Sequence, residues 1–235
     1  MVFVTPELIK SYKNNALSSY YSKMRSLNFA NMRQYDNIYD HDPLSMGDRI
    51  QCLYVGSFQD IRIRNPKYLF EVVRETSDDI FFHFIISTWD KECSDLKDIY
   101  LEGVSNVMFY DRVSLDEAQF FIRSADILIN VGNNAGNQTP CKVVDYISAG
   151  KPIVNFYEIS DDTSKILLER YPYALNLKQG TYSAKQAALK LQSFCRCNLY
   201  RRVDYQSLRS LYPEYDSSSI VEKFIHDIDS YLNIN

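Results

Sequence analysis

The stretch that most constrains this chain runs from Asp126 to Phe156, DILINVGNNAGNQTPCKVVDYISAGKPIVNF. Its apolar run, Ile127 to Val131, reads as a buried strand. A loop of glycine and asparagine follows, Gly132 to Gln138. The helix start after it can be read residue by residue. Thr139 suits the N-cap, Pro140 suits the first helical position, and Gly150 stands just past the end. Pro152 bars the helix from continuing, and Ile153 to Phe156 is a second apolar strand. The unit is β–loop–α–β, and its loop ends at a helix N-terminus. Free backbone N–H groups and the positive end of the helix dipole suit such a place to an anion, typically phosphate.

Two side chains on that helix add chemistry. Lys142 and Asp145 are three residues apart and share a face. Lys142 can meet a phosphate as a point charge, and Asp145 can accept hydrogen bonds from sugar hydroxyls. The same two residues also fit an ordinary surface ion pair, because a βαβ unit carries no function by itself.

The chain around this unit repeats its alternation. Ile50 to Val55 reads as a strand ending at Gly56, and Pro66 to Arg74 as a helix capped by Asn65. Ile80 to Ser87 is a strand whose His83 reads as a core residue. Asp90 to Tyr100 is weakly helical and Asn106 to Tyr110 is a short strand. Ser114, with Glu117 three residues on, opens a helix to about Arg123 through a capping box. Asp161 to Arg170, Tyr173 to Leu177 and Ser183 to Phe194 continue as helix, strand, helix. The predicted fold class is α/β, a Rossmann-like parallel sheet flanked by helices. Ligands in such sheets sit at the carboxyl ends of strands. The loop after the first strand, GSFQDIRIRNP, therefore shares a rim with the loop Gly132 to Gln138. Gly56 lets the backbone turn closely. Arg62 and Arg64 offer forked, permanently charged donors suited to a diphosphate.

The segment QTPCKVVDYISAGKPIV resembles the donor-binding segment of retaining glycosyltransferases of the GT-B fold, the family 4-like group of capsule and O-antigen type. The resemblance implies that the chain is one GT-B half. In that family two glutamates with seven residues between them flank the helix start, one addressing the donor sugar and one the nucleotide ribose. Here those positions are Asn137 and Asp145, so both depart from the pattern. Asp145 keeps the carboxylate with one methylene less reach; Asn137 keeps hydrogen bonding without charge. Gln138, Pro140 and Lys142 fit the Gln-x-Pro-Ser-Lys version of capsule-type relatives, with Cys141 for serine. A glycine followed by a basic pair after the first strand also fits, and Arg64, standing before Asn-Pro, outweighs Arg62. The implied substrate-binding set is Gly56, Arg62, Arg64, Asn134, Asn137, Gln138, Thr139, Lys142 and Asp145. The implied donor is a UDP- or GDP-sugar, with no metal, no other cofactor and no identified protein base. The implied acceptor is a saccharide or lipid-linked saccharide.

Other classes are disfavoured. Net charge is −4, so there is no electrostatic footprint for nucleic acid. No apolar run approaches a membrane span, and MVFVTPELIK does not read as a signal peptide. Five cysteines without framework spacing suit a reduced, cytoplasmic protein, with a peripheral place at the inner face of the membrane also open. The Cys195-x-Cys197 pair lacks the further ligands a metal site needs. Asp40-His41-Asp42 and Asp227-Ile228-Asp229 match the D-x-D pattern of metal-dependent transferases, but neither ends an apolar strand. A nucleotide-sugar epimerase of the related two-domain fold needs acid/base residues across the cleft, and only three histidines are present.

The predicted organisation has three parts. Residues 1–48 are a strand-helix remnant of the other GT-B half plus a linker, with the helix running from Pro6 to about Leu27. Residues 49–199 are the Rossmann-like nucleotide-sugar-binding domain. Residues 200–235 are a helical tail, capped at Asp216 or Ser217, whose Ile220, Phe224, Ile228 and Leu232 share a face that can cross back to the first domain. The expected function is sugar transfer in cell-surface polysaccharide synthesis by the donor-binding half, with inactivity in the absence of an N-terminal domain left open and with a separate N-terminal-domain polypeptide or self-association as the partners considered. The alternative is a non-catalytic nucleotide-sugar-binding subunit or an inactive truncated remnant.

Overall fold

The computed structural model describes residues 1–29, 31–35, 44, 47–135 and 141–232. At the N-terminus, strand β1 (Val2–Val4) leads into helix α1 (Pro6–Tyr12), a 3₁₀ turn over Ser18–Lys23, and strand β2 (Met24–Ser26). Thr5 caps α1 by accepting from the amide of Leu8 at 3.4 Å. The helix expected to run to about Leu27 stops at Tyr12. Asn14, Asn15, Ser18 and Ser19 favour local side-chain bonds over helix, and Asn15 accepts from the amide of Leu17 at 2.8 Å. Tertiary pairing decides the rest. Strand β2 lies parallel to β1, with Val2, Phe3 and Val4 opposite Met24, Arg25 and Ser26.

From Ile50 the alternation builds the sheet expected of it. Strands β3 (Ile50–Phe58), β4 (Ile80–Trp89), β5 (Val107–Tyr110), β6 (Ile127–Val131), β7 (Ile153–Tyr157) and β8 (Ala174–Lys178) pair in the order β5-β4-β3-β6-β7-β8. Every pair is parallel. Between the strands run α2 (Lys67–Arg74), α3 (Lys91–Leu101), α4 (Leu115–Ser124), α5 (Cys141–Ser148), α6 (Thr163–Leu168) and α7 (Ala184–Asn198). Local signals set several starts. Asp90 accepts from Cys93 N at 2.8 Å, and both Ser114–Glu117 and Ser183–Gln186 form complete capping boxes. At α5's other end, Gly150 adopts φ 69° and its amide reaches the carbonyl of Ile147, the left-handed stop that glycine permits.

The sheet is covered on both faces, which explains its run-like apolar strands. Ile127, Leu128, Ile129 and Val131 are all buried, and each contributes roughly 1.5–3 kcal/mol by leaving water. One core cluster joins α2, α3 and α7 to the sheet through Leu69, Phe70, Cys93, Ala187 and Leu191. The other joins α4, α5 and α6 to it through Ile122, Val143, Ile147 and Leu168. His83 belongs to the interior: its Nδ1 lies 2.9 Å from the Tyr110 hydroxyl and its Nε2 2.8 Å from Gln51 Oε1.

The tail and the described part of the linker join the second cluster. Helix α8 (Tyr205–Leu211), capped by Asp204, was not foreseen; with Tyr212 and Tyr215 it buries Leu208 in the core that holds α5, as do Met32 and Leu44. Helix α9 (Ser217–Leu232) starts where Asp216 accepts from Ser219 N at 3.2 Å. It meets the N-terminal segment, the rings of Phe3 and Phe224 lying 4.8 Å apart.

Candidate functional site

The sheet order reverses direction at β3, so the crevice of such folds falls between β3 and β6. These strands pair only at Cys52–Ile127 and Leu53–Leu128. Beyond that they diverge, and α5 fills the wedge. The Tyr146 hydroxyl accepts from Val55 N at 2.9 Å and lies 3.4 Å from Val55 O, taking backbone groups that β6 no longer reaches. Helix α5 is thus tied to β3.

Three predicted residues meet there: Gly56, Arg64 and Lys142. The Lys142 amine lies against Gly56, 5.3 Å from the centroid of the Tyr54 ring. A Cβ on Gly56 would overlap that amine and stand 2.7 Å from the Tyr54 hydroxyl. Only glycine leaves this space open. Burial, and after it the charge of Arg64, push the Lys142 amine down to about 7; Asp145 opposes them. Arg64 is held from two sides. Its Nη2 and Nε donate to Asn133 Oδ1 at 2.7 and 3.2 Å, and its Nη1 to the carbonyl of Ser57 at 3.2 Å. Among the described residues neither cation forms a salt bridge. Two basic groups therefore meet at one rim, neither with a carboxylate in contact among the described residues.

The other predicted residues are placed as follows. Asp145 stands one turn along α5 from Lys142, with Oδ1 3.1 Å from Arg33 Nη2. Burial raises its carboxyl above the usual range, against the pull of Arg33 and Lys142. Asn134 donates to Glu158 Oε2 at 2.7 Å, while its amide donates to Ile63 O, binding the two rim loops together. Arg62 turns away and closes a fork with Asp60 at 2.9 and 2.7 Å in solvent. Asn137, Gln138, Thr139 and Pro140 lie outside the described residues, as does Asp40-His41-Asp42. Asp227 of the other D-x-D pattern pairs with Lys223 at 2.6 Å on α9.

Sequence reasoning missed Arg33, Asn133 and Asp162. Arg33 sits in a segment read as linker, and its amide donates to Ser148 Oγ of α5 at 3.3 Å. Asp162 caps α6 through Lys165 N at 2.6 Å and also accepts from Asn133 N at 3.1 Å. It thereby orients the residue that orients Arg64. Gly132 makes room for it, since a Cβ there would overlap Asp162 Oδ2. The glycine-asparagine composition of the loop signalled a close approach, but not which residue would fill it.

Cys195 is buried with its sulfur 4.0 Å from that of Cys52, whereas Cys197 is exposed. Among the described residues no three His, Cys, Asp or Glu side chains are grouped to hold a metal ion. Among the same residues no helix is long and apolar enough to cross a membrane.

No protein-family model and no curated protein sequence matches the chain. Solved structures do. Anabaena HepE in complex with UDP aligns with a TM-score of 0.64 at 11% identity, over 92% of this chain and 62% of that one. The lipopolysaccharide outer core galactosyltransferase WaaB gives 0.62 at 12% identity, over 96% and 59%. The pneumococcal O-GlcNAc transferase GtfA, in complex with UDP and GlcNAc, gives 0.61 at 12% identity, over 98% and 45%. The architecture is that of the Rossmann-like half of GT-B glycosyltransferases. The chain spans less than two thirds of the length of each of these proteins.

Proposed function

We propose that this chain is the donor-binding half of a GT-B glycosyltransferase of the retaining, family 4-like type. The observation that carries the reading is the pair Arg64 and Lys142 at the switch point of the sheet, neither of them in a salt bridge among the described residues. In this reading a nucleotide-diphospho-sugar, a UDP- or GDP-sugar, lays its diphosphate against the two cations and the start of α5. Gly56 admits it. Asp145 holds the ribose, Asn134 and Asn137 address the sugar, and Gln138 and Thr139 belong to the helix entry. Arg62, engaged with Asp60, takes no direct part. Bond breaking places negative charge on the departing diphosphate, and fixed cations stabilise that charge more as it develops than before. A hydroxyl of a saccharide or lipid-linked saccharide attacks with retention, without a metal, in cell-surface polysaccharide synthesis.

The domain division at about residues 48 and 199 belongs to the same proposal. The acceptor is then held by a domain that packs on β1, β2 and α9, from this polypeptide's natural context or a separate one. The alternative reading is a nucleotide-sugar-binding subunit that transfers nothing alone.

Calorimetric isotherms of the folded chain against UDP, GDP and their sugars test the first step. Binding of one series is expected; no binding at millimolar concentration refutes both readings. A transfer assay on lipid extracts, with and without a co-expressed N-terminal domain, separates them. Transfer only with that domain supports the enzyme half, and binding without transfer in either case supports the subunit.

A further inference from the structure

Lys151 and Lys142 both carry their amines into the fold, but they are held differently. Lys151 donates to the carbonyls of Arg123 and Ala125. Lys142 is half-buried, its amine sunk against Gly56 and above the Tyr54 ring. Among the described residues that amine has neither a hydrogen-bond acceptor nor a carboxylate in contact. Burial without a partner disfavours the ammonium and leaves part of the amine in its uncharged, nucleophilic form.

The surrounding groups reinforce that form. Arg64 acts on the amine from the loop after β3, Asp145 from its own helix and Tyr54 from β3. Burial and Arg64 bring the amine down to about 7, against Asp145. About half of it is then unprotonated at neutral pH, compared with roughly 0.04% of an ordinary lysine at about 10.4. Arg64 also has donors to spare. A guanidinium carries five N–H groups; Arg64 commits three to Asn133 Oδ1 and the carbonyl of Ser57, which leaves two. Such a pair suits the oxygens of a phosphate. The rim thus sets an uncharged nucleophile beside a fixed phosphate-binding group.

We infer that Lys142 is an acylation site whose acyl donor is an acyl phosphate. The phosphate lies on Arg64 and presents its carbonyl to the amine. The nitrogen's lone pair forms a bond to the carbonyl carbon, the bond from that carbon to the bridging oxygen breaks, and inorganic phosphate leaves with the electron pair. The nitrogen's surplus proton goes to water. The product is an amide without charge, so acylation removes one of the two basic groups at the rim and lowers its affinity for a diphosphate. Thioesters and activated esters offer the same carbonyl but no phosphate for Arg64. The inference rests on the anion-binding rim of the proposed function, and not on a nucleotide being its ligand.

The test treats the full chain with acetyl phosphate at neutral pH and follows each lysine by peptide mass mapping. Lys142 should be acetylated about tenfold or more faster than the exposed Lys13 and Lys185, since burial and lower basicity take back part of a roughly thousandfold advantage in free amine. Inorganic pyrophosphate should protect Lys142 and leave the other two unchanged. The lead should shrink severalfold in Arg64→Ala, and severalfold with the N-hydroxysuccinimide ester of acetic acid, which carries no phosphate. The acetylated chain should bind pyrophosphate about tenfold or more weakly. The inference is overturned if Lys142 reacts no faster than the exposed lysines, or if both reagents give it the same lead. Acetylation of Lys142 in a chain that binds no UDP or GDP supports this inference and refutes the nucleotide reading; nucleotide binding beside an unreactive Lys142 does the reverse.

Discussion

Lys142 should make nucleoside diphosphate affinity depend on pH in a way a solvated lysine does not. In the free protein the amine titrates at about 7, down from 10.5, because of burial first and Arg64 second. A diphosphate placed against it supplies the negative charge that burial withholds, so binding raises that pKa and takes up a proton above pH 7. If the ammonium form alone binds well, raising pH from about 7 to about 8.5 cuts the competent fraction from roughly one half to roughly 3%. Affinity then falls about fifteenfold, or about 1.6 kcal/mol. The ligand's own terminal phosphate titrates near pH 6 and is outside this window, to about a unit. Calorimetry with UDP or GDP, in two buffers of different ionisation heat, reads both affinity and proton uptake. Lys142→Met should bind more weakly at pH 7 and show no slope. A flat wild-type profile, or the same slope in Lys142→Met, would refute the placement of the amine in the binding site. The stability effect has a definite sign. The unfolded lysine keeps its proton up to about 10.5, whereas the folded one loses it near 7. The folded state is therefore penalised fully below pH 7, and the penalty fades as pH rises toward 10.5. Lys142→Met should be more stable than wild type at pH 7 by roughly 1–2 kcal/mol, with the gap closing by pH 10.

Four further substitutions separate binding from folding. Arg64→Ala should weaken UDP or GDP by about tenfold or more while leaving the free nucleoside almost unaffected; Arg62→Ala, fastened to Asp60 in solvent, should change neither. Equal losses for nucleoside and diphosphate would assign Arg64 to folding instead. Gly56→Ala should displace the Lys142 amine and the Tyr54 hydroxyl, lowering diphosphate affinity together with about 1–3 kcal/mol of stability. Wild-type isotherms in that variant would show that the amine is not needed where it lies. Gly150→Ala must hold alanine at φ 69° with its Cβ overlapping the Val203 carbonyl, and should cost about 1–3 kcal/mol, read as a drop of roughly 2–4 °C in Tm per kcal/mol.

The parallel sheet was legible from Ile50 onward because its signals are local. Buried strands such as Ile127–Val131 are runs of apolar residues, and Ser114, Ser183 and Gly150 bond to neighbours three residues away. The extent of the N-terminal helix was misread for the opposite reason. Met24–Ser26 is a strand only because Val2–Val4 lies beside it, a pairing 22 residues apart that no window on the sequence contains. Helix α8 has its cap in Asp204, but seven residues with one buried leucine carry too little periodicity to stand out.

The candidate site divides along the same line. Residue types with an inherent chemistry at a strand end or a helix start, Gly56, Arg64 and Lys142, could be named from sequence because topology alone brings those places together. Only the tertiary structure decided which of two neighbouring arginines faces the crevice. Asp60 takes the fork of Arg62, while Asn133, 69 positions away in the chain, receives that of Arg64. It also decided that Arg33, from an apparent linker, reaches Asp145, and that Asp162 holds Asn133 through its own helix cap. Sequence specifies what each side chain can donate or accept; long-range packing chooses among partners of similar chemistry, because the geometry that ranks them exists only once the chain is folded.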